Sequence, residues 1–395
     1  MNNVYMLSTI PQKFDIIIVG AGPSGSATAY HLASQGLRVV LLDQKAFPRY
    51  KPCGGGIPVH TLEQLPFDLR PALEFCAEGG RLTFNGQEQL KAPLNREYVW
   101  LAAREKMDFY LLEKARAAGV DCRTGERVMG LVEEDEFVSV QTADAEYRAA
   151  YLVGADGVNS ITARKLSLLT DRRTGTAIEA ELKVSAQALE TFGKFGSFDF
   201  GALPKGYGWV FPKRDHLSVG VFQANTHKAS NLRQELQRFI DSQPELVGYT
   251  LQHIQGHRIP LGGRDLRLNT RRCLLVGDAA NLADPWLGEG IYYALYSAGE
   301  AAQAILAHRD GSGSLDEYSA HIGEHILTDF KYARRIGWLV FHFPRLSTWL
   351  ISGSRSMQQD VFLKIRGDLT HRHLWNRMKR TFPRYWIEAL SNRGR

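Results

Sequence analysis

Two constellations of glycine and acid, more than 250 residues apart, could together hold a nucleotide cofactor. The first is Asp15-Ile-Ile-Ile-Val-Gly20-Ala-Gly22-Pro-Ser-Gly25, with Asp43 following Gly25 by 18 residues. Gly20 permits a tight turn, Gly22 lets backbone approach a pyrophosphate, and Gly25 lets a helix sit close to a strand. The free N–H groups and partial positive charge at that helix's start favour phosphate. Asp43 can accept from both hydroxyls of an adenosine ribose; the alternative is a glycine turn before an ordinary helix. The second constellation is Cys273-Leu-Leu-Val-Gly277-Asp278, then Gly288-Glu289-Gly290-Ile291. Asp278 can bond a ribityl hydroxyl, or be a solvated aspartate at a strand end. The N–H groups after Gly290 could face a flavin N1/O2 edge and stabilise the negative charge that reduction places there. The pair therefore points to FAD and to redox chemistry. Arg104, ahead of a helix carrying Asp108 in its first turn, can pair with the FAD phosphates or stand alone on the surface.

The elements that must position these residues can be read from periodicity. Phe14–Val19 is a short, β-branched apolar run closed by glycine, which predicts a buried parallel strand. Ser24–Gln35 predicts a helix and Leu37–Leu42 a second strand, so the glycine loop falls inside a βαβ unit. Lys51–Pro58 is glycine-rich and predicts a loop. Lys106–Ala118 predicts a helix with Phe109, Leu112 and Ala115 on its packing side, followed by strands at Val120–Thr124, Val128–Glu133 and Phe137–Thr142. From about Asp171 the texture changes. Phe195–Ala202, Trp209–Phe211 and Leu217–Phe222 alternate as in an antiparallel sheet. Gly290–His308 predicts a long helix, and the last 65 residues read as helical. The fold class expected is α/β: a Rossmann-type FAD-binding domain, split, with an inserted, mostly antiparallel β substrate domain and a helical C-terminal region. The cofactor domain would comprise 13–80, 101–170 and 265–330, the substrate domain 81–100 and 171–264, and the basic helical region 331–395.

Composition narrows the class further. Four cysteines (Cys53, Cys76, Cys122, Cys273) lie far apart without a CxxC pair, which fits reduced thiols and neither a disulfide framework nor a zinc site. Met1–Gln12 lacks a secretory pattern, and no run reaches the ~20 apolar residues of a spanning helix. These features predict a cytoplasmic protein. The net charge of +6 is unevenly placed. Residues 330–395 carry 14 Lys/Arg and 3 Asp/Glu, a net of +11, leaving −5 for the rest. Within this tail, Ile336–Ile351 is apolar but broken by His342, Pro344 and Arg345. It suits either an amphipathic segment on an anionic membrane surface or a helix covering a domain. No nucleic-acid motif accompanies the charge, so a nucleic-acid partner is not expected.

The chain resembles the FAD-dependent geranylgeranyl reductases, within the para-hydroxybenzoate-hydroxylase-like flavoproteins, from Phe14 to about Ala307. Two motifs carry the resemblance beyond a general flavoprotein. Lys51-Pro52-Cys53-Gly54-Gly55-Gly56-Ile57-Pro58 is similar to the family's cysteine–glycine loop. Pro204-Lys-Gly-Tyr207-Gly-Trp209-Val-Phe211-Pro212 matches the pattern PxxYxWxFP with Gly220 downstream. The family often ends this motif in GxG, where this chain has Gly220-Val221-Phe222. The resemblance implies that Asp43 contacts the adenosine ribose, that Cys53, Gly54, Gly56, Arg104, Asp278, Gly290 and Ile291 touch FAD, and that Val128 meets the adenine through its backbone. Tyr207 and Trp209 would line an isoprenoid cavity.

The reaction so implied is saturation of isolated C=C bonds in a prenyl chain, by hydride from reduced FAD and a proton from elsewhere. Positive charge would develop at the tertiary carbon. Trp209 and Tyr207 could stabilise it by about 0.5–2 kcal/mol each, while plain strand packing is the alternative role for both. Cys53 and Glu289 are candidate proton donors; small-residue packing and a solvated carboxylate are their respective alternatives. The expected partners are a prenylated small molecule or lipid and an external electron donor, NADPH or a ferredoxin. No metal is called for. Competing functions are an aromatic hydroxylase or halogenase on the same scaffold, and a non-catalytic prenyl-lipid carrier.

Overall fold

Ile16–Val19 are buried on both faces, while the first residues of the same strand, Gln12 and Lys13, are exposed. That gradient belongs to the centre of a covered parallel sheet. The computed structural model describes residues 11–169, 173–224, 231–262 and 267–392; the leader reading on Met1–Gln12 falls almost wholly outside them. The Gln12–Val19 strand lies between Val39–Asp43 and Glu146–Gly154, parallel to both. Asp121–Thr124 extends the sheet beyond Val39–Asp43. The long Glu146–Gly154 strand pairs along its first half with the Gly130–Glu133/Val138–Gln141 hairpin, and at its end with Cys273–Leu275, again parallel. The two glycine constellations therefore close one sheet, with a single strand between them.

A second sheet runs in the order Thr250–Pro260, Thr174–Lys183, Leu217–Gln223, Gly206–Pro212, Phe195–Asp199, Gly79–Phe84, Gln87–Pro93. Its pairings are antiparallel except that between Phe195–Asp199 and Gly79–Phe84. Gly56–Pro58, Val99–Leu101 and Phe75–Cys76 form a small third sheet. The Lys51–Pro58 segment is thus not wholly a loop: its last residues pair with Val99–Leu101. The helix expected at Lys106–Ala118 starts earlier, at Arg104, and its buried stripe is Met107, Leu111, Leu112 and Ala115, with Phe109 only half-buried. Asp108 is buried with that stripe, a polar position that apolar periodicity cannot anticipate.

Pro23–Ala33, the helix after the glycine loop, buries Ser24, Gly25, Ser26, Ala27 and Ala29. Small side chains let it approach both the sheet and the Ile291–Arg309 helix. At Gly25 the approach is absolute, since a Cβ there would stand 1.8 Å from the Gly20 carbonyl oxygen.

The tail forms the helices Thr328–His342, Pro344–Gly353, Arg355–Arg366 and His371–Ser391. Its buried residues, among them Ile336, Val340, Leu350, Ile351 and Tyr385, share one apolar cluster with Tyr207, Trp209 and Trp286. The segment read as amphipathic therefore covers the second sheet on one side. Its other side exposes Trp338, Phe343 and Leu346.

One buried ionic bridge ties this tail to the rest. His371 is fully buried, with Nδ1 2.6 Å from Asp329 and Nε2 3.0 Å from Asp284. Asp329 also accepts the backbone N–H groups of His371 and Arg372, at 3.0 and 2.8 Å, and so caps the last helix. Burial and nearby Lys364 favour neutral imidazole, but the two aspartates overcome both and raise its pKa above 6.5. Burial alone would raise Asp329, yet its bonds to His371 and Arg372 hold it down to about 2. A raised histidine stabilises the fold below its unfolded pKa and loses that contribution as pH rises through the folded value. His371→Gln should therefore destabilise by about 3 kcal/mol near pH 6, the scale of a broken buried pair. The deficit relative to wild type should shrink as pH rises above 6.5 in thermal unfolding followed by circular dichroism; a pH-independent deficit would contradict the bridge.

Candidate active site

A cavity of about 790 Å³ lies between the parallel sheet and the second sheet, within the usual range for a small-molecule site. One half is walled by the glycine constellations. Gly20, Gly22, Asp43, Val128, Asp278, Gly288, Gly290 and Ile291 all border it. Gly25 does not: it lies behind the wall, where its role is the close helix–strand approach. The other half is aromatic, with Tyr207, Trp209, Phe211, Phe198 and Phe222. Cys53, Gly54 and Gly56 lie on the same wall.

Strand register explains the aromatic half. Trp209 pairs with Gly220, which pairs with Glu179; Tyr207 pairs with Phe222, which pairs with Ala177. Cross-strand partners share a face, so the two rows turn to the cavity together while Val210 and Val221 pack behind against Phe239 and Leu236. Gly220 is required because a Cβ there would lie 2.1 Å from the Trp209 indole. Phe222 stands where the resemblance expects a second glycine. It is fully buried, and its ring centroid is 5.2 Å from that of Tyr207.

The Cys53 loop is held from both sides of its chain. The Cys53 N–H donates to Glu179 Oε2 at 2.6 Å, and Lys213 Nζ donates to the carbonyls of Gly54 at 2.6 Å and Ala102 at 3.0 Å. Glu179 also accepts from Ser218 Oγ, which accepts from Trp209 Nε1 at 3.2 Å. A continuous polar chain thus runs from the indole to the cysteine loop. Cys53 Sγ accepts the Gly55 N–H at 3.3 Å, so the thiol is folded onto its own loop. Tyr207 donates its hydroxyl to the Leu287 carbonyl, bracing the Leu287–Gly290 turn from the aromatic side.

The polar half carries concentrated charge. Arg104 is not a lone surface residue: it makes two bonds of 2.7 and 2.8 Å to Asp108, whose side chain is fully buried. Arg49 approaches the same carboxylate at 3.2 Å, so two guanidinium groups share one acid. Asp278 is half-buried at the edge of the cavity. Burial raises its pKa, opposed by Lys51 and Arg104. Burial and Arg104 bring Lys51 down to about 8 against the pull of Asp278. Burial, Lys51 and Arg104 take His257 to about 3, leaving a neutral ring whose Nε2 has no hydrogen-bond partner. Asp43 accepts the Ala21 and Lys45 N–H groups, each at 2.8 Å, which fixes the glycine loop to the end of its strand.

These residues fit FAD. At Gly22 the nearest atom to a built Cβ is Arg49 Nη2, 4.0 Å away, so backbone opens directly onto the cavity beside a cation. A pyrophosphate there would meet the helix N-terminus at Pro23 and the surplus positive charge of Arg49 and Arg104. Asp278 and the start of the Ile291–Arg309 helix border the same space. Sequence reasoning missed Arg49, Glu179, Lys213 and His257. Lys213 directly follows the aromatic motif, and Glu179 is a charge on the inward parity of an alternating strand, so both left a signal. Arg49 and His257 left none, because their neighbours come from distant elements.

The FAD binding domain family model matches residues 13–325. An uncharacterized protein of Methanosarcina barkeri is 34% identical over 74% of this chain and 75% of its own length. Geranylgeranyl diphosphate reductase of Nicotiana tabacum is 30% identical over 76% of the chain and 68% of its own. Menaquinone reductase of Mycobacterium tuberculosis is also 30% identical, over 85% and 86%. Among solved structures, a geranylgeranyl bacteriochlorophyll reductase-like protein of Thermoplasma acidophilum superimposes with a TM-score of 0.75 at 21% identity, over 96% of this chain and 99% of its own.

Removing Glu179 leaves the Cys53 N–H and Ser218 unpaired and Lys213 buried without its neighbouring acid. Glu179→Ala should cost about 3–5 kcal/mol in urea unfolding and weaken FAD retention on dilution. Glu179→Gln, which keeps an acceptor, should cost clearly less; equal losses would show that charge and not acceptor geometry holds the loop.

Proposed function

This chain belongs to the FAD-dependent geranylgeranyl reductase family, within the FAD binding domain flavoproteins, and from that membership we propose that it saturates isolated C=C bonds in a polyprenyl chain. It is an FAD-dependent oxidoreductase acting on CH–CH groups. The observation that carries the prenyl reading is the shared cavity: a wall of Tyr207, Trp209, Phe211, Phe198 and Phe222 faces the space bordered by the glycine constellations.

FAD, once reduced, supplies hydride to the substrate. The chain supplies the rest. Gly22, Arg49 and Arg104 would hold the phosphates, Asp43 the ribose, and Asp278 a ribityl hydroxyl. The Gly290–Ile291 helix start would favour negative charge on the flavin ring. Cys53, held by Glu179 and Lys213, would place its loop against the ring. Tyr207 and Trp209 would present their faces to the tertiary carbon as it becomes cationic, in a space from which water is largely excluded. Trp209 cannot turn away from that task, since Ser218 fixes its N–H and Gly220 its ring. The electron donor would be NADPH or a ferredoxin.

A further part of the proposal concerns where the substrate is met. Trp338, Phe343 and Leu346 are exposed on one pair of tail helices, and Phe382, Trp386, Ile387 and Leu390 on the last helix. Trp349, beside the first group, contacts Trp386 at 5.1 Å. Apolar side chains on a region of net charge +11 suit an anionic lipid surface. Among the described residues no helix is long and apolar enough to cross a membrane, so the contact proposed is peripheral.

Turnover under strict anoxia tests the reaction class. A reductase given reduced FAD and a geranylgeranyl compound should produce the saturated chain without oxygen, whereas a hydroxylase or halogenase needs oxygen and a carrier leaves the flavin reduced. Trp209→Leu should keep FAD and lower kcat by roughly 2- to 30-fold, the rate equivalent of one lost cation–π contact. An unchanged kcat would reduce the indole to packing. Liposome flotation with phosphatidylglycerol against phosphatidylcholine vesicles should show binding to the former alone; binding that ignores lipid charge, or none, rejects the surface contact.

A further inference from the structure

Glu289 sits in the turn between the aromatic half of the cavity and the helix that faces the flavin. Its backbone cannot drift. The Asp284 N–H donates to the Glu289 carbonyl at 2.8 Å, the Gly288 N–H to the Asp284 carbonyl at 2.9 Å, and the Trp286 N–H to Asp284 Oδ1 at 2.6 Å. Tyr207 fixes the Leu287 carbonyl on one side, and Gly290 starts the Ile291–Arg309 helix on the other. The residue borders the cavity. Yet its Oε1 is shielded from solvent and has no hydrogen-bond partner. A buried carboxyl oxygen without a partner is costly as a carboxylate and tolerable as an acid.

We propose that Glu289 is the acid that delivers the proton to the substrate alkene, a role that rests on the prenyl-reductase reading above. Glu289 would give its proton to the less substituted carbon, while the tertiary carbon accepts hydride from reduced FAD. The π bond is lost, two C–H bonds form, and the alkene gains the two electrons that the flavin loses. Glu289 is left as a carboxylate and regains its proton from water once product leaves.

The surroundings suit an acid that must both hold and release a proton. Asp284 on its own loop disfavours the carboxylate, while Lys364 from the Arg355–Arg366 helix and His371 from the last helix favour it; Tyr292 and Tyr293 face it from the helix that follows. Burial dominates, and with Asp284 it raises the pKa to about 7 against Lys364 and His371, near the value at which general-acid transfer is most effective.

Infrared titration of the holoenzyme without substrate tests the placement of the proton. Wild type should show a carboxylic-acid C=O band that fades as pH rises through neutrality; Glu289→Gln should lack it, and Glu289→Asp should restore it. A raised carboxyl pKa lowers stability progressively from the unfolded value upward. Glu289→Gln should therefore melt higher than wild type near pH 8, with the difference vanishing below about pH 4. With FAD content unchanged, its turnover should fall about 100-fold or more. Absence of the titrating band, or full turnover in Glu289→Gln beside an active wild type, overturns the inference alone. A wild type that saturates no prenyl compound overturns the reductase reading and this inference together.

Discussion

A single buried carboxylate, Glu179, holds the two halves of the cavity in one geometry. It takes the Cys53 N–H directly and reaches Trp209 through Ser218. Lys213 holds the next carbonyl along the same loop. Both charges are almost fully buried, at 3% and 4% exposure. Such an arrangement is sustained only where every polar atom finds a partner. The result is a cysteine loop joined to the aromatic wall by a continuous run of hydrogen bonds. An enzyme that must bring hydride to one carbon and a proton to its neighbour depends on such links, since small misplacements of reacting groups cost large factors in rate.

The tail acts on the other edge of the same cavity. His371 bridges Asp329 and Asp284, and Asp284 in turn fixes the turn that carries Glu289. Ile365 of the same region borders the cavity. The C-terminal helices are therefore part of the site's wall as well as a cover for the second sheet. Their aromatic outer side leaves room for a further role at a lipid surface. A prenyl substrate would then pass from lipid to an aromatic space within one molecule.

Legibility in the sequence followed the range of the interactions. The βαβ start at Gln12–Asp43, the glycine loop and the long helix after Gly290 were readable because local backbone needs dictate them. That Tyr207, Trp209 and Phe211 share one face was readable from a period of two, and Gly220 from its motif. Arg104 was placed on the cofactor side, but its pairing with a buried Asp108 was not visible, since apolar periodicity marks only apolar burial. The glycine run at Lys51–Pro58 hid a short strand because composition signalled a loop more strongly than it signalled pairing. Glu289 was weighed against a solvated carboxylate, and solvation is what the fold withholds from its Oε1.

By itself, then, the amino-acid order determined the cofactor class, the α/β architecture and the sharing of one strand face by the aromatic residues. Each of these rests on neighbours within a few residues or on a repeating period. Only the tertiary structure decided which charges meet: Arg49 with Asp108, Lys213 with Gly54, Glu179 with Cys53, His371 with Asp284. The partners in these pairs lie as much as 159 residues apart, and no single segment creates the burial around them alone. Desolvation is a property of the packed whole, so the chemistry of the site could be named from sequence while its protonation could not.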